Sequence, residues 1–257
     1  MTVVRDKEMK QSGRSSFMET VRTVVYAVLI ALVIRSFLFE PFNIPSGSMR
    51  PTLEVGDYLF VSKFSYGYSR YSLPLGLDLF DGRIMEDAPT RGDVAVFRKP
   101  NDTSVDYIKR IVGLPGDQIQ MIDGVLHING VAVPRVKIED YVETMPSGSV
   151  RRTEQYRETL PNGVSYITFN EITNSRTDTT GIYTVPAGHY FAMGDNRDNS
   201  FDSRIPVTEG GVGFVPAENL IGRADVIFFS SNGTASLFEP WKWFSAIRYD
   251  RLLQVIR

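Results

Sequence analysis

Two serines, Ser46 and Ser48, flank a glycine in Ile44-Pro45-Ser46-Gly47-Ser48-Met49-Arg50-Pro51-Thr52-Leu53, a segment closed on both sides by proline. Proline fixes φ and removes an N–H, so neither helix nor ordinary strand suits this stretch. It reads either as a plain turn or as a bent, rigid loop. In such a loop a hydroxyl and a backbone N–H can point at one carbonyl, as a nucleophile with its oxyanion hole must. A serine nucleophile needs a base. The chain has no cysteine, which removes thiolate nucleophiles, zinc fingers, iron–sulfur clusters and disulfides together. Only His127 and His189 are present, which excludes a multi-histidine metal site, and neither lies beside a recognisable nucleophile elbow. A lysine can replace histidine if it is desolvated. In Asp106-Tyr107-Ile108-Lys109-Arg110-Ile111-Val112 a period of two sets Tyr107, Lys109 and Ile111 on one strand face and Ile108, Arg110 and Val112 on the other. Lys109 is then a snorkelling strand lysine, or an amine whose pKa burial lowers from about 10.4 until it can accept a serine proton near neutrality.

A third cluster, Gly194-Asp195-Asn196-Arg197-Asp198-Asn199-Ser200-Phe201-Asp202-Ser203-Arg204, is too polar for a core strand. It suits a supporting loop that orients the base through a hydroxyl and is locked by an Asp–Arg pair. The competing reading is a calcium loop, since Asp198, Ser200, Asp202, Ile205 and Glu209 match positions one, three, five, eight and twelve of an EF-hand. Position six is Ser203 where glycine is needed, and residues 189–193 read as a strand. No metal and no cofactor is expected.

These groups need a scaffold, and beyond Pro41 the sequence is written in strands. Short alternating runs cover residues 58–61, 94–97, 107–112, 125–128, 165–169 and 226–229. Turn signals separate them at Asp81-Gly82, Pro115-Gly116-Asp117, Asp123-Gly124, Asn129-Gly130, Pro161-Asn162-Gly163 and Asn232-Gly233. The expected fold is mainly β: an antiparallel catalytic body over 40–133 and 184–257, interrupted by a smaller inserted β lobe over the polar residues 134–183. With 28 Lys and Arg against 30 Asp and Glu, no basic surface invites nucleic acid.

Ahead of that body lies an anchor. Residues 24–34 are unbroken apolar, and counting 21–39, with Arg22 and Arg35 snorkelling, gives roughly 28 Å of helix, close to a bilayer core. The residues after it contain no small-x-small cleavage site, so one uncleaved transmembrane helix over 21–39 is expected, the competing reading being a buried amphipathic helix. Arg5, Lys7, Lys10, Arg14 and Arg22 precede it, whereas Arg50 and Lys63 are the first cations well beyond it. The positive-inside rule then leaves residues 1–20 as a cytoplasmic tail and the bulk of the chain outside the cytoplasm. The lipid bilayer is thus an expected partner, with Ser48 tethered within roughly 30 Å of its surface. Near the C-terminus Trp241, Trp243 and Phe244 beside Lys242 suit either a headgroup interface or a core.

Taken together, the clusters resemble type I signal peptidase, the membrane-bound Ser-Lys endopeptidase of bacterial export. Residues 45–53 resemble its nucleophile box, Gly92-Asp93-Val94-Ala95-Val96-Phe97 the next strand box, Tyr107-Ile108-Lys109-Arg110 through Gly113-Leu114-Pro115-Gly116-Asp117 the base box, and residues 194–204 the last. The resemblance implies Ser48 as nucleophile, Lys109 as general base, and the Ser46 hydroxyl with the Ser48 N–H as oxyanion hole. It also implies Ser200 orienting the Lys109 amine, Asp202 and Arg204 holding their loop, and Phe42, Ile44, Met49, Leu53, Val96, Tyr107 and Ile108 lining the substrate pockets. The implied substrates are preprotein signal peptides, bound as an added β-strand and cut after Ala-x-Ala at the outer face of the bacterial inner membrane. Some relatives carry two membrane segments and a disulfide, whereas this chain has one candidate segment and no cysteine. Oligomeric state is left open. Two other readings remain: a self-cleaving Ser-Lys protease of the repressor type, for which no N-terminal DNA-binding domain is visible, and a membrane-tethered β-rich binding module with an inactive protease frame.

Overall fold

The computed structural model describes residues 2–72, 82–145, 147–235 and 239–257, without the side chains of 2–16 and 240. A helix α1, Thr2–Phe37, leads the chain. Its stretch Phe17–Phe37 is 21 residues with mean hydropathy 2.0, and none of that apolar surface is buried against the rest of the protein. The helix stops short of the expected 39. Phe39 already begins β1, Phe39–Asn43, because the backbone there is captured by β2, Asp57–Ser62.

The remaining strands are β3 Val94–Lys99, β4 Asp102–Gly113, β5 Gln118–Ile122, β6 Val125–Ile128, β7 Val131–Ala132, β8 Arg135–Lys137, β9 Tyr141–Thr144 and β10 Val150–Thr159, then β11 Ser165–Asn170, β12 Tyr183–Thr184, β13 His189–Met193, β14 Val215–Pro216, β15 Leu220–Ser230 and β16 Gln254–Val255. The main sheet runs β1-β2-β15-β3-β4-β13-β14, with β16 on β15, and all its pairings are antiparallel. All six expected strand runs fall within strands. Between β4 and β13 the chain leaves this sheet and builds two smaller ones, β12-β5-β6-β7 and β11-β10-β8 with β9 on β10. Residues 134–183 thus hold β8–β11 and the start of β12, while β5–β7 lie outside the main sheet as well.

Tight turns make the small hairpins possible. Asp123 and Gly124 (φ 47° and 75°) join β5 to β6, and Asn129 and Gly130 (φ 54° and 77°) join β6 to β7, the left-handed pairs that a two-residue hairpin requires. Of the expected turns, the Asp81 half of Asp81-Gly82 lies outside the described residues. Three apolar clusters fill the interior. The one beneath the site combines Ile44, Met49, Leu53, Leu59, Val61, Val94, Val96, Ile221, Ala224 and Ile227. Near the C-terminus, Trp241 and Phe244 of α2, Pro240–Ala246, are 71% and 76% exposed, which removes the core reading for them.

Candidate active site

The 45–53 segment forms a single 3-10 turn, Gly47–Met49, entered by an extended Ser46 (φ −130°, ψ 154°). Met49 and Leu53 plug the cluster below, and the Leu53 N–H bonds to the Met49 carbonyl at 2.9 Å, so the turn is nailed to the core by its apolar residues. From the other side the Asn196 N–H donates to the Ser48 carbonyl at 3.1 Å. Ser48 is left at the cleft floor, 9% exposed.

Lys109, 3% exposed, comes from the middle of β4 and brings its Nζ to 2.8 Å from Ser48 Oγ. The same amine donates to the Ile108 carbonyl at 2.9 Å and lies 5.1 Å from the Tyr107 ring centroid, on the face that the period of two assigned it. Burial lowers its pKa from 10.5 to about 8, with the Asp202 and Asp195 carboxylates pulling the other way. Ser46 Oγ stands 3.5 Å from Ser48 Oγ. A hydroxyl beside an enclosed amine with a lowered pKa is the combination that nucleophilic catalysis by serine requires.

Arg110 points away from the amine. Its guanidinium is fully enclosed and takes both Asp195 oxygens, Nε to Oδ1 at 2.8 Å and Nη2 to Oδ2 at 2.7 Å, while Nη1 donates to the Gly92 carbonyl at 2.8 Å. Thr52 Oγ1 donates to the same Asp195 at 2.5 Å, which ties the serine loop to the lysine strand. Asp202 and Arg204 pair as expected, with Nη2 to Oδ2 at 2.9 Å, and Asp202 also accepts the Gly194 N–H at 3.0 Å. These contacts hold the Asp202 carboxyl below its ordinary pKa although burial acts against it. The calcium reading fails here on occupancy. Asp202 serves Arg204, Asp198 Oδ2 accepts the Glu171 and Ile172 N–H groups at 2.7 and 3.0 Å, and Glu209 pairs with Arg176.

Two expectations need correction. Ser200 is buried nearby, but among the described residues its hydroxyl has no hydrogen-bond partner and so makes no bond to the Lys109 amine; it is turned toward Gly194, where an added Cβ would lie 2.3 Å from it. Met49 and Leu53 do not line a pocket, because both are 0% exposed and spent on the core beneath. The other five residues assigned to the pockets, Phe42, Ile44, Val96, Tyr107 and Ile108, do line one cleft of about 510 Å³ with Ser46, Ser48 and Lys109. Asn43, Pro45, Val105, Asp106, Asn199 and Phe201 complete it and were missed. Their signal was adjacency: each sits in or beside a segment already singled out.

Backbone edges matter as much as side chains here. The Ile44 N–H and the Leu38 carbonyl both bond toward β2 and its continuation, so by alternation residues 39, 41, 43 and 45 turn their polar groups away from β2. Among the described pairings β13 meets β4 at Arg110, Ile111 and Gly113, so residues 106–109 have β3 on one side and the cleft on the other.

The family model described as "Signal peptidase, peptidase S26" matches residues 17–229. The chain is 43% identical to the signal peptidase I of Rickettsia typhi over 246 residues, covering 89% of this chain and 90% of that one. It is 42% identical to the signal peptidase I of Rickettsia canadensis over 250 residues, with 91% of each covered. Among solved structures, a signal peptidase I from Enterococcus faecalis is 29% identical and matches 53% of this chain and 97% of its own, with a TM-score of 0.31.

Proposed function

The chain belongs to the signal peptidase family S26 and is a signal peptidase; from that premise we propose that it cuts preproteins after Ala-x-Ala by a Ser-Lys acyl-enzyme mechanism, anchored in the bacterial inner membrane with its catalytic body outside the cytoplasm. The observation that carries this reading is the buried Lys109 amine 2.8 Å from the Ser48 hydroxyl. It also speaks against an inactive binding frame.

In the proposed reaction neutral Lys109 takes the Ser48 proton as Oγ bonds to the scissile carbonyl carbon. The Ser48 N–H and Ser46 hydroxyl stabilise the oxyanion, and Lys109 passes the proton to the leaving amine as the C–N bond breaks. Lys109 then takes a proton from water as the water oxygen bonds to the acyl carbon, and returns that proton to Ser48 Oγ as the C–Oγ ester bond breaks and the acyl product leaves as a carboxylic acid. A neutral amine offers two N–H groups and one lone pair. Ser48 and the Ile108 carbonyl use two of these.

An extended peptide fits the cleft as a strand between the outward edge of β1 and residues 106–109 of β4. Those edges belong to the two ends of the run β1-β2-β15-β3-β4, so the guest closes the sheet into a barrel. The α1 stretch of 21 residues spans about 31 Å, enough for a bilayer core. The exposed Trp241 and Trp243, with Phe244 beside them, are placed by this reading at the headgroups, where indole rings with a polar N–H are favoured. Membrane tethering brings the site to substrates whose own apolar segment is held in the bilayer.

The test is cleavage of an Ala-x-Ala preprotein by the detergent-solubilised full chain. Wild type cuts after the second alanine, and folded Ser48→Ala, Lys109→Ala and Lys109→Arg do not, since arginine keeps its proton. Turnover by any of the three overturns the assignment. A reporter fused at Arg257 that is active only in the cytoplasm overturns the topology.

A further inference from the structure

Behind the catalytic strand the inserted lobe reaches into the body with a buried cluster of charge. The Arg110 guanidinium, one residue from the base, lies 4.1 Å from the ring centroid of Tyr166 on β11. The Tyr166 hydroxyl donates to Glu158 Oε2 on β10 at 3.0 Å. Arg197, from the 194–204 loop, pairs with that same oxygen and donates to the Tyr166 hydroxyl at 3.2 Å. Arg110, Arg197, Glu158 and Asp195 all lie within 4% of full burial, two cations against two anions around one aromatic ring.

We infer, on the footing of the Ser-Lys reading, that the lobe works as a fixed counter-charge: Glu158 satisfies Arg197 and so leaves Asp195 committed to Arg110 and Thr52, which makes Glu158 a positioning residue for both Lys109 and Ser48. The chain of contacts is short. Asp195 grips both Arg110, next to Lys109, and Thr52, four residues after Ser48, and so holds Arg110 Nη2 at 3.3 Å from Thr52 Oγ1, the direct contact between the two segments. Arg197 follows two residues after Asp195, and its main chain is fastened beside it, with the Phe169 N–H on the Asp195 carbonyl at 2.9 Å and the Arg197 N–H on the Phe169 carbonyl at 3.2 Å. Arg197 Nε and Nη1 are buried without hydrogen-bond partners among the described residues, so donors that would recruit Asp195 stand ready. Asp195 already favours the charged form of both arginines. A buried guanidinium that loses its carboxylate strongly favours any other carboxylate within reach. Removing the Glu158 charge therefore pulls Asp195 toward Arg197 and loosens the tie between the two reacting groups, while the cleft that binds the peptide is untouched.

The experiment measures kcat and KM per folded enzyme for the full chain in detergent, with Ser48→Ala as the blank. Glu158→Gln is expected to lower kcat about tenfold or more with KM within about twofold, the signature of lost positioning rather than lost binding. Glu158→Gln combined with Arg197→Met removes the competing cation and is expected to bring kcat back to within about threefold of wild type, a non-additivity that mere loss of packing does not produce. Equal kcat in wild type and Glu158→Gln overturns the inference and leaves the Ser-Lys reading standing. Should Glu158→Gln fail to fold, the folded double variant decides: recovery to within about threefold upholds the inference, and a loss of about tenfold or more overturns it. A wild-type chain that cannot cut sinks the parent reading and this one with it.

Discussion

The enclosed amine makes a quantitative demand on the pH profile. With Lys109 at about 8, close to a tenth of the enzyme carries a neutral amine at pH 7, about half at pH 8 and about one part in a hundred at pH 6. An ordinary lysine at about 10.4 would leave fewer than about one in a thousand neutral at pH 7. Since only the neutral amine accepts the Ser48 proton, kcat/KM rises about ninetyfold from pH 6 to pH 9, with unit slope on a logarithmic plot and a plateau above about pH 9. The sign follows from the cause: burial disfavours the cation and moves the limb down from 10.5, while Asp202 and Asp195 keep it from moving further. The assay is hydrolysis of an internally quenched Ala-x-Ala peptide in detergent between pH 6 and 10, with the Ser48→Ala rate subtracted. A flat profile over this range, or a limb near pH 10, refutes the claim that Lys109 is the base.

Further outcomes follow from the same geometry. Lys109→Met abolishes cleavage yet stabilises the fold at pH 7: the fall from 10.5 to about 8 corresponds to about 3 kcal/mol, reduced by about 1 kcal/mol for each of two lost hydrogen bonds. The unfolded chain binds the extra proton between the two values, so stability of the wild type rises from about pH 8 to 10.5 and the variant's advantage fades there; urea unfolding at pH 7 and pH 10 checks it. Gly194→Ala places a Cβ 2.3 Å from Ser200 Oγ and 2.5 Å from the Ser48 carbonyl oxygen, and kcat drops by about a hundredfold or more in steady-state assays. Trp241→Ala with Trp243→Ala slows cleavage of a preprotein inserted in vesicles while the rate on a soluble peptide stays put; equal rates on the inserted substrate remove the headgroup contact.

Strand pattern and turn chemistry were legible because each depends on neighbours in sequence. The alternation around Lys109 assigned its face correctly, and Asp-Gly and Asn-Gly marked hairpins at the residues with positive φ. The Ser48–Lys109 meeting was legible only by resemblance, since nothing local says that two segments 61 residues apart will touch. What escaped was division of labour inside a motif. Met49 and Leu53 sit in the nucleophile segment and look like pocket residues, but a tight 3-10 turn sends their side chains down into the core rather than up into the cleft. The alternation put Arg110 on the face opposite Lys109, but did not reveal that its guanidinium is covered by the lobe, whose Tyr166 and Glu158 carry no sequence signal pointing toward the body. Burial of a charge by a distant insertion is a tertiary fact.

A protein that keeps two strand edges open for a guest is exposed to permanent company. Any extended chain, including the β1 of another copy, is a candidate for the same ladder, and such pairings are the usual route to edge-to-edge aggregation. On the outward side of β1 the residues in turn are Phe39, Pro41, Asn43 and, just past the strand, Pro45, so along the cleft Asn43 is the only one with an N–H to give. Two such edges laid together would lack a donor at every proline, with a carbonyl facing a carbonyl wherever Pro41 or Pro45 meets its counterpart. A peptide strand with a full set of N–H groups can still donate to the carbonyls of this edge. The prolines thus filter by reciprocity: they admit a visitor that donates and turn away a twin.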